Sequence, residues 1–339
     1  MLPLLDNDLS VLDFIYTSIR QNQSFVVYYL SILGGMMKAL IEAIDQAGIS
    51  YLVDEPLKLH TSFKLGGLAD IMVLPHTVEE IKRVLELIKE AHVPLYVLGN
   101  GSNVLFSDEG FRGVIIKLGK NFSDYSIEGH ILKAQSGALL SMVCKKAARK
   151  NLGGQEFATG IPGTVGGGVV MNAGAYDGEL KDIIKSVTAM SLDGEIKTFT
   201  NEEMAFGYRT SAVLRDKLIV LEVEMELQEK DPKEIWAKID DFTAKRWSKQ
   251  PLELPSAGST FKRPTGHFAG KLIQEAGLKG LRYGNAMVSE KHSGFVVLKG
   301  ESSTKEVLTL IETVRKTVRD QFDIELEPEV KIIQERHSF

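Results

Sequence analysis

Hydrophobic positions alternate along the chain between helical and extended spacing. Over residues 77–91 the apolar side chains fall on one face, and Thr77 with Glu80 forms a capping box at the start, which predicts a helix. The same reading predicts further helices at 38–47, 139–150, 231–249, 268–276 and 303–321. Short apolar runs predict strands at 96–98, 114–116, 186–192, 195–199, 218–227, 294–298 and 324–333. This mixture predicts an α+β protein.

The segment QPLELP at 250–255 interrupts the alternation and is the predicted domain boundary. The helix before it starts with Asp231 as cap and Pro232 as first helical residue. We therefore predict one domain over 37–249, built from two subdomains that divide near residue 118, and a smaller C-terminal domain over 250–335.

The first 36 residues differ from the rest. Their apolar run at 25–33 is shorter than the roughly 20 residues that span a bilayer, and the start MLPLLDND lacks the basic residues of an export signal. A purine-rich ribosome-binding stretch, read in frame, would encode the Gly-Gly that precedes Met36 and Met37. We predict that 1–36 is a non-native or disordered extension and that translation starts at Met36 or Met37. The alternative is a genuine, poorly ordered extension.

Composition excludes several classes of site. The 40 basic and 45 acidic residues leave a net charge of −5, which argues against an electrostatic nucleic-acid binder. The single cysteine, Cys144, excludes an intrachain disulfide framework and a Cys-based metal site, and we expect it on the apolar side of its helix. His60, His267 and His292 lack metal-ligand spacing, so no metal is predicted.

The distribution of the glycines says more about a possible binding site than the net charge does. Of 31 glycines, 16 lie in the windows 66–119 and 153–178, where two loops read GNGSN (99–103) and GIPGTVGGG (160–168). Their small residues leave consecutive backbone N–H groups uncovered, which suits a pyrophosphate. No G-x-G-x-x-G follows a strand, and GHFAGK at 266–271 is one residue too short for a Walker loop. Either loop alone is more typical of a tight turn, but two with Asn and Ser interleaved favour phosphate binding.

Seven blocks in order along the chain resemble the UDP-N-acetylenolpyruvoylglucosamine reductase family, the flavoenzymes of bacterial cell-wall precursor synthesis. The blocks are HTSFKLGG (60–67), LGNGSNVLFSD (98–108), GIPGTVGGGVVMNAGAY (160–176), FGYRTS (206–211), SAGSTFKRP (256–264), AGKLIQEAGLKG (269–280) and LEPEV (326–330). The wording SAGSTF resembles the shorter, type II branch of the family.

The resemblance implies a two-part FAD-binding domain of the vanillyl-alcohol-oxidase/PCMH type, followed by a substrate domain. It also implies that NADPH reduces FAD, whose N5 then delivers hydride to C3 of enolpyruvyl-UDP-N-acetylglucosamine while a proton reaches C2. The product would be UDP-N-acetylmuramate, made in the cytoplasm for peptidoglycan. The glycine loop contains no His or Cys, so we expect non-covalent FAD. No nucleic acid, membrane or obligatory protein partner is implied.

Three catalytic positions carry over from the family. Hydride addition places negative charge on the substrate carboxylate, which Arg209 is suited to grip bidentately. Ser259 occupies the proton-donor position and Glu329 the third. Without the resemblance, an arginine is more often part of a surface ion pair, and a serine in a loop is more often a turn residue.

The acidic run around LEPEV leaves one choice open. By alternation Glu325, Glu327 and Glu329 share a face of a strand, but Pro328 breaks a regular register. The pattern by itself does not choose among the three carboxylates.

The other positions that the resemblance implies are contacts to the cofactor and to the substrate. For FAD they are Thr61, Ser62, Gly99, Asn100, Gly101, Ser102, Asn103, Gly160, Ile161, Pro162, Gly163, Thr164, Gly166, Gly167, Asn172, Ala173, Gly174 and Ala175. For the nucleotide sugar they are Tyr208, Lys262, Lys271 and Gln274. His267 and Asn285 differ from the residues that the family has at these positions. Both lie in the predicted substrate domain, so the differences put substrate contacts in doubt rather than flavin binding.

Two other functions are compatible with a flavin fold. One is oxidation of a small alcohol by another PCMH-type FAD-dependent oxidase or dehydrogenase. The other is a catalytically silent regulator that binds a nucleotide sugar. Neither requires Arg209, Ser259 and Glu329 together, so their joint presence favours the reductase.

Overall fold

The computed structural model describes residues 23–334, with side chains from residue 35 onward. The helices are α1 (Gln23–Gln46), α2 (Val78–Ala91), α3 (Leu140–Ala148), α4 (Val165–Val170), α5 (Ala212–Arg215), α6 (Pro232–Lys249), α7 (Ala269–Glu275) and α8 (Thr304–Phe322). The first strands are β1 (Tyr51–Pro56), β2 (Leu68–Val73), β3 (Leu95–Leu98), β4 (Val104–Phe106), β5 (Phe111–Lys117), β6 (Tyr125–Glu128), β7 (Ile131–Gln135), β8 (Leu152–Gly153) and β9 (Gly174–Ala175). The others are β10 (Gly178–Glu179), β11 (Ile184–Met190), β12 (Ile196–Thr200), β13 (Ile219–Glu226), β14 (Gln228–Glu229), β15 (Arg282–Tyr283), β16 (Ala286–Val288), β17 (Val296–Leu298) and β18 (Lys331–Ile333).

A four-stranded mixed sheet with the order β1-β2-β5-β3 forms the first layer. The two helices α1 and α2 cover one face, where their apolar side chains pack on those of β2, β3 and β5. The predicted helix at 77–91 is confirmed: Thr77 Oγ1 accepts a hydrogen bond from Glu80 N at 3.1 Å, and Glu80 Oε2 accepts one from His76 N at 2.7 Å. Each of these side chains satisfies a backbone donor at the helix start.

A five-stranded antiparallel sheet with the order β12-β11-β13-β7-β6 follows after residue 124. Helices α3 and α4 pack against it, and Cys144 on α3 is fully buried among apolar side chains, as expected. Burial raises the pKa of its thiol to about 12, so this cysteine is an inert core residue.

The C-terminal part contains the three-stranded sheet β15-β16-β17 covered by α7 and α8. Its core also includes Phe63 and Leu65 from the loop between β1 and β2 and Leu105 from β4, which pack in the same buried cluster. Ser62 connects three segments, because its Oγ donates to the Ser256 carbonyl at 2.7 Å and its N donates to the Gly101 carbonyl at 3.0 Å.

The prediction of a closing strand over 324–333 is wrong for most of its length. Only β18 is a strand, and it leaves the C-terminal sheet to pair in parallel with β4, with Lys331 opposite Val104. Upstream, Pro328 cannot donate to a ladder and makes an isolated bridge with Phe261 instead. Strands β18 and β4 form a separate two-stranded sheet, which connects the segment after the C-terminal domain to the strand that follows the GNGSN loop.

In the N-terminal region the structure has a longer helix than the one predicted at 38–47. Helix α1 begins at Gln23, inside the predicted extension, and the predicted helix at 38–47 is its last part. Residues 1–22 of the extension lie outside the described residues. Within 23–334 no helix is long and apolar enough to cross a bilayer.

Candidate active site

Two neighbouring cavities meet at one wall. The first, which we call the loop cavity, has a volume of about 670 Å³ and lies between the two glycine loops, α6 and the segment 252–259. The second, the C-domain cavity, has a volume of about 510 Å³ and lies over the start of α7 and residues 291–294. Four described residues line both cavities: Arg209, Ser259, His292 and Glu329. The three positions predicted as catalytic are thus at the boundary between the cavities.

Arg209 lies in a tight turn between β12 and α5. The turn is closed by a bridge between Gly207 and Thr210, and it holds Arg209 in the left-handed region with φ 56°. Its Nε donates to Glu329 Oε1 at 2.9 Å, and its Nη2 donates to the Gly174 carbonyl at 3.3 Å. The alternative of a surface ion pair does not describe this arginine, because its partner is buried. Among the described residues its Nη1 group has no acceptor and can donate to a ligand.

Glu329 differs from its acidic neighbours in burial. Its side chain is 13% exposed, against 68% for Glu327 and 49% for Glu325. The backbone explains the choice that alternation left open, because Glu329 N donates to the Thr260 carbonyl and turns the side chain inward. Burial raises the pKa of Glu329, and the adjacent Arg209 guanidinium opposes that rise.

Ser259 is held in place through its neighbour Thr260. Thr260 N donates to the Gly294 carbonyl at 2.8 Å, and Thr260 Oγ1 accepts from Val296 N at 2.9 Å. On its other side the Thr260 carbonyl accepts from Glu329 N at 2.8 Å. The serine side chain itself is exposed to both cavities, so it is accessible to a bound molecule.

The loop at 99–103 has the geometry of an anion-binding nest. Within residues 23–334 the backbone N–H groups of 100–103 donate to no protein acceptor. Gly101 adopts φ 62°, and a Cβ there would lie 2.0 Å from the His60 carbonyl oxygen, so only glycine fits. Asn103 Nδ2 donates to the Glu329 carbonyl at 3.3 Å. The nest is therefore tied directly to the segment that carries Glu329.

A third, mostly apolar cavity of about 300 Å³ lies between the first two sheets. It shares Asn103, Gly167 and Met171 with the loop cavity, so the two cavities adjoin, and we call them together the elongated space. Its wall includes Ser136 Oγ, a buried hydroxyl with no hydrogen-bond partner among the described residues. A cofactor with an apolar ring system, hydroxyl groups and a diphosphate fits this combination of apolar wall, unpartnered hydroxyl and nest.

Most of the predicted cofactor contacts line this elongated space. They are Ser62, Gly99, Ser102, Asn103, Ile161, Pro162, Gly163, Thr164, Gly166, Gly167, Ala173, Gly174 and Ala175. The others shape the loops, and two of them use their side chains for hydrogen bonds within the protein. Thr61 Oγ1 donates to the Leu65 carbonyl at 3.1 Å, and the fully buried Asn172 bonds to Glu179 and to the Gly207 carbonyl. Asn100 Nδ2 joins the two loops through the Pro162 carbonyl at 3.5 Å.

The predicted substrate contacts divide in the same way. Tyr208, Lys271 and Gln274 line the C-domain cavity. Lys262 lines neither cavity, and its Nζ pairs with Glu327. Arg263, which the sequence did not single out, lines the C-domain cavity with its guanidinium 3.9 Å from the centre of the Phe268 ring.

Sequence reasoning also missed the cationic wall of the loop cavity. Helix α6 contributes Lys245, Arg246 and Lys249, and the half-buried Arg246 lies against Gly160, where a Cβ would be 2.8 Å from its Cδ. The cavity has five Lys or Arg side chains against two carboxylates: Lys64, Arg209, Lys245, Arg246 and Lys249 against Glu253 and Glu329. The spacing of the three α6 cations on one helix was a signal for this wall. The excess of positive charge indicates anionic ligands.

Comparison with known proteins agrees with this geometry. Residues 250–333 match the family model described as UDP-N-acetylenolpyruvoylglucosamine reductase, C-terminal domain, and residues 69–200 match one described as FAD binding domain. The chain is 53% identical over 283 residues to the UDP-N-acetylenolpyruvoylglucosamine reductase of Clostridioides difficile (strain 630), covering 84% of this chain and 93% of that protein. It is 49% identical over 298 residues to the one of Alkaliphilus oremlandii (strain OhILAs), covering 88% and 97%. The crystal structure of the Thermus caldophilus enzyme of that name superposes with a TM-score of 0.72 at 36% identity, covering 84% and 98%.

Proposed function

Because this chain belongs to the UDP-N-acetylenolpyruvoylglucosamine reductase family, we propose that it reduces the enolpyruvyl ether of UDP-N-acetylglucosamine with NADPH as the hydride source. The chain is an FAD-dependent oxidoreductase of α+β fold, with a FAD-binding domain followed by the family's C-terminal domain. The observation that carries the proposal is the convergence of Arg209, Ser259 and Glu329 on the wall between the two cavities.

The elongated space fits FAD. The N–H groups of 100–103 and the loop at 160–168 would hold its diphosphate, and Ser136 Oγ would find a partner among its hydroxyl or ring atoms. When bound, the flavin supplies hydride at N5. Neither glycine loop contains a Cys or His that could form a covalent link, and Cys144 is buried in α3, so the cofactor is held non-covalently.

Arg209 binds the carboxylate beside the reacting double bond. Its Nε is occupied by Glu329 and one Nη2 hydrogen by Gly174, which leaves the outer edge for two parallel hydrogen bonds to a carboxylate. Hydride addition moves negative charge onto that carboxylate, so the guanidinium stabilises the transition state more than the ground state. Glu329 keeps the guanidinium in this orientation.

Ser259 donates the proton that C2 requires. A hydroxyl is a weak acid, so it acts only beside a strong developing base, and the charge of Arg209 on the same wall favours the alkoxide side of the transfer. Ser259 lines both cavities, and its position is fixed by Thr260. The C-domain cavity, with Lys271 and Gln274, takes the uridine diphosphate.

The cellular part of the proposal follows from the reactants. A UDP-sugar and NADPH are water-soluble metabolites of the cytoplasm, where we expect the enzyme to act. UDP-N-acetylmuramate is the precursor that peptidoglycan synthesis requires, which connects the activity to cell-wall formation, cell shape and division.

Two anaerobic half-reactions test the proposal. The purified protein should be yellow, and acid should release all of its flavin. NADPH should bleach the colour, and enolpyruvyl-UDP-N-acetylglucosamine should restore it, whereas UDP-N-acetylglucosamine, which lacks the enolpyruvyl group, should not. An alcohol oxidase would regain colour with oxygen but not with this substrate, and a silent regulator would not bleach. Failure of the enolpyruvyl compound to restore the colour would overturn the proposal.

Lys117 provides a prediction about cofactor affinity. Its Nζ donates to the Gly99 carbonyl at 2.6 Å, at the first residue of the nest loop 99–103, and burial lowers the pKa of this ammonium to about 8. Its charge attracts the FAD diphosphate below that pH and is lost above it, so the dissociation constant for FAD should rise as pH increases through about 8. Lys117→Met should weaken FAD binding about tenfold at pH 7 and lose most of this pH dependence.

Titration of flavin-free protein with FAD between pH 6 and 10, followed by flavin fluorescence, checks this prediction. The matched control is Lys120→Met, which removes an exposed lysine a few residues away. Parallel pH curves for parent and Lys117→Met would show that the Lys117 charge does not act on the cofactor.

A further inference from the structure

His292 belongs to the group of histidines for which the sequence predicted no role. Within residues 23–334, however, it is one of the four residues that line both cavities, and the other three are Arg209, Ser259 and Glu329. Its backbone neighbour Gly294 accepts the hydrogen bond from Thr260 N that positions the catalytic loop. The ring is therefore part of the wall where the reaction takes place.

The His292 ring is held in one orientation. Its Nδ1 accepts a hydrogen bond from Gly294 N at 3.1 Å, and the ring makes an edge contact with Phe295 at a centroid distance of 5.0 Å. A Cβ at Gly270 would lie 3.3 Å from the ring Cε1, and one at Gly294 would lie 3.0 Å from it. The two glycines thus leave the space that the ring fills.

This hydrogen bond also assigns the tautomer. Because Nδ1 accepts a hydrogen bond from the Gly294 N–H, the ring proton of neutral His292 is on Nε2. Burial lowers the pKa of the ring, which favours this neutral form at neutral pH. Nε2–H has no acceptor among the described residues, so it is a fixed donor without a protein partner.

We propose that His292 donates its Nε2–H to the carboxylate of the enolpyruvyl group, beside Arg209. This inference rests on the proposed function and adds a residue to it. The carboxylate is attached to the carbon that receives the proton, so it must lie on the wall shared with Ser259. The diphosphate is separated from that carbon by the sugar ring and belongs deeper in the C-domain cavity, near Lys271 and Lys291.

A neutral donor suits this position. As charge develops on the carboxylate, a preoriented N–H strengthens its hydrogen bond without bringing a second buried cation next to Arg209. His292 does not replace Ser259 as the acid, because a charged ring would lose the Gly294 hydrogen bond to Nδ1. Its part is to bind the carboxylate and share its growing charge.

Two substitutions separate the donor from the shape of the ring. His292→Phe keeps a planar ring without a donor, and His292→Asn keeps an N–H donor. With FAD content and flavin reduction by NADPH equal to the parent, reoxidation of reduced His292→Phe by the enolpyruvyl substrate should have a second-order rate constant about 10- to 100-fold lower. His292→Asn should recover most of that loss. His267→Phe, an exposed histidine that lines neither cavity, is the matched control and should behave as the parent.

Binding measurements distinguish the carboxylate from the diphosphate. UDP-N-acetylmuramate carries a carboxylate and UDP-N-acetylglucosamine does not, so His292→Phe should weaken only the first, as followed by the change in flavin absorbance. Equal weakening of both ligands would assign the ring to the diphosphate or to folding and overturn the inference. Unchanged reoxidation in His292→Phe would overturn it too.

If the parent fails to reoxidise with substrate, the proposed function fails instead. If His292→Phe loses FAD, the comparison of His292→Asn with the parent decides, and a 10-fold loss in that variant contradicts the donor role.

Discussion

Replacing Ser259 by alanine is expected to leave flavin reduction by NADPH intact and to slow reoxidation by enolpyruvyl-UDP-N-acetylglucosamine by about 10³-fold or more. A positioned general acid typically contributes 10²- to 10⁴-fold, and within the described residues no other hydroxyl lines both cavities. The substitution removes only the Oγ, because Ser259 is held through the backbone of Thr260 rather than through its own side chain. Anaerobic stopped-flow absorbance of the two half-reactions measures both rates.

The matched control is Ser256→Ala, three residues earlier in the same segment. Ser256 contributes its carbonyl, which accepts from Ser62 Oγ at 2.7 Å, and a backbone group survives the substitution. Both half-reactions should therefore proceed at the parent rates in this variant. Equal reoxidation rates in Ser259→Ala and the parent would contradict the proton-donor role.

Local patterns predicted most of the elements. Capping residues and apolar spacing are short-range signals, which is why α2, α3, α6 and α8 were predicted close to their observed bounds. The closing strand was overextended because alternation alone cannot report where a segment finds its partner. Lys331 pairs with Val104, more than 200 residues away in sequence, and only the folded chain brings those two together.

The candidate site shows the same division. The proposed catalytic residues come from the resemblance to a family, whereas the physical pattern alone left Arg209 as an ordinary surface ion pair. Glu329 could not be separated from Glu325 and Glu327 by alternation, because the turn at Pro328 depends on the bridge to Phe261. His292 was missed because a loop histidine carries no local signal that it faces a cavity. The spacing of the α6 cations indicates a shared cationic helix face, but it does not show that this face, with Arg246, borders a cavity. Their placement depends on packing between distant segments.

The ion pair of Arg209 and Glu329 leads to the second large prediction. Arg209→Gln is expected to lower the rate constant for reoxidation by substrate about 10³-fold, since the charge that faces the carboxylate is lost. Glu329→Gln should also be strongly impaired, because the guanidinium then loses the partner that orients it. The double variant should be little worse than the poorer single variant, since the two residues act as a unit. Additive losses would mean that they act separately.

The same substitution should change how stability depends on pH. Burial already raises the pKa of Glu329, and Arg209 opposes the rise. In Arg209→Gln the folded-state pKa rises further, so between the unfolded and folded pKa values the folded state holds a proton that the unfolded state has lost. The free energy of unfolding then falls as pH increases through that window, more steeply than in the parent. Thermal unfolding midpoints from pH 4.5 to 8 measure this slope.

The control is Arg215→Gln, which breaks an exposed pair with Asp216 at 2.7 Å and should shift all midpoints little and evenly. Equal slopes for Arg209→Gln and the parent would show that Arg209 does not control the protonation of Glu329.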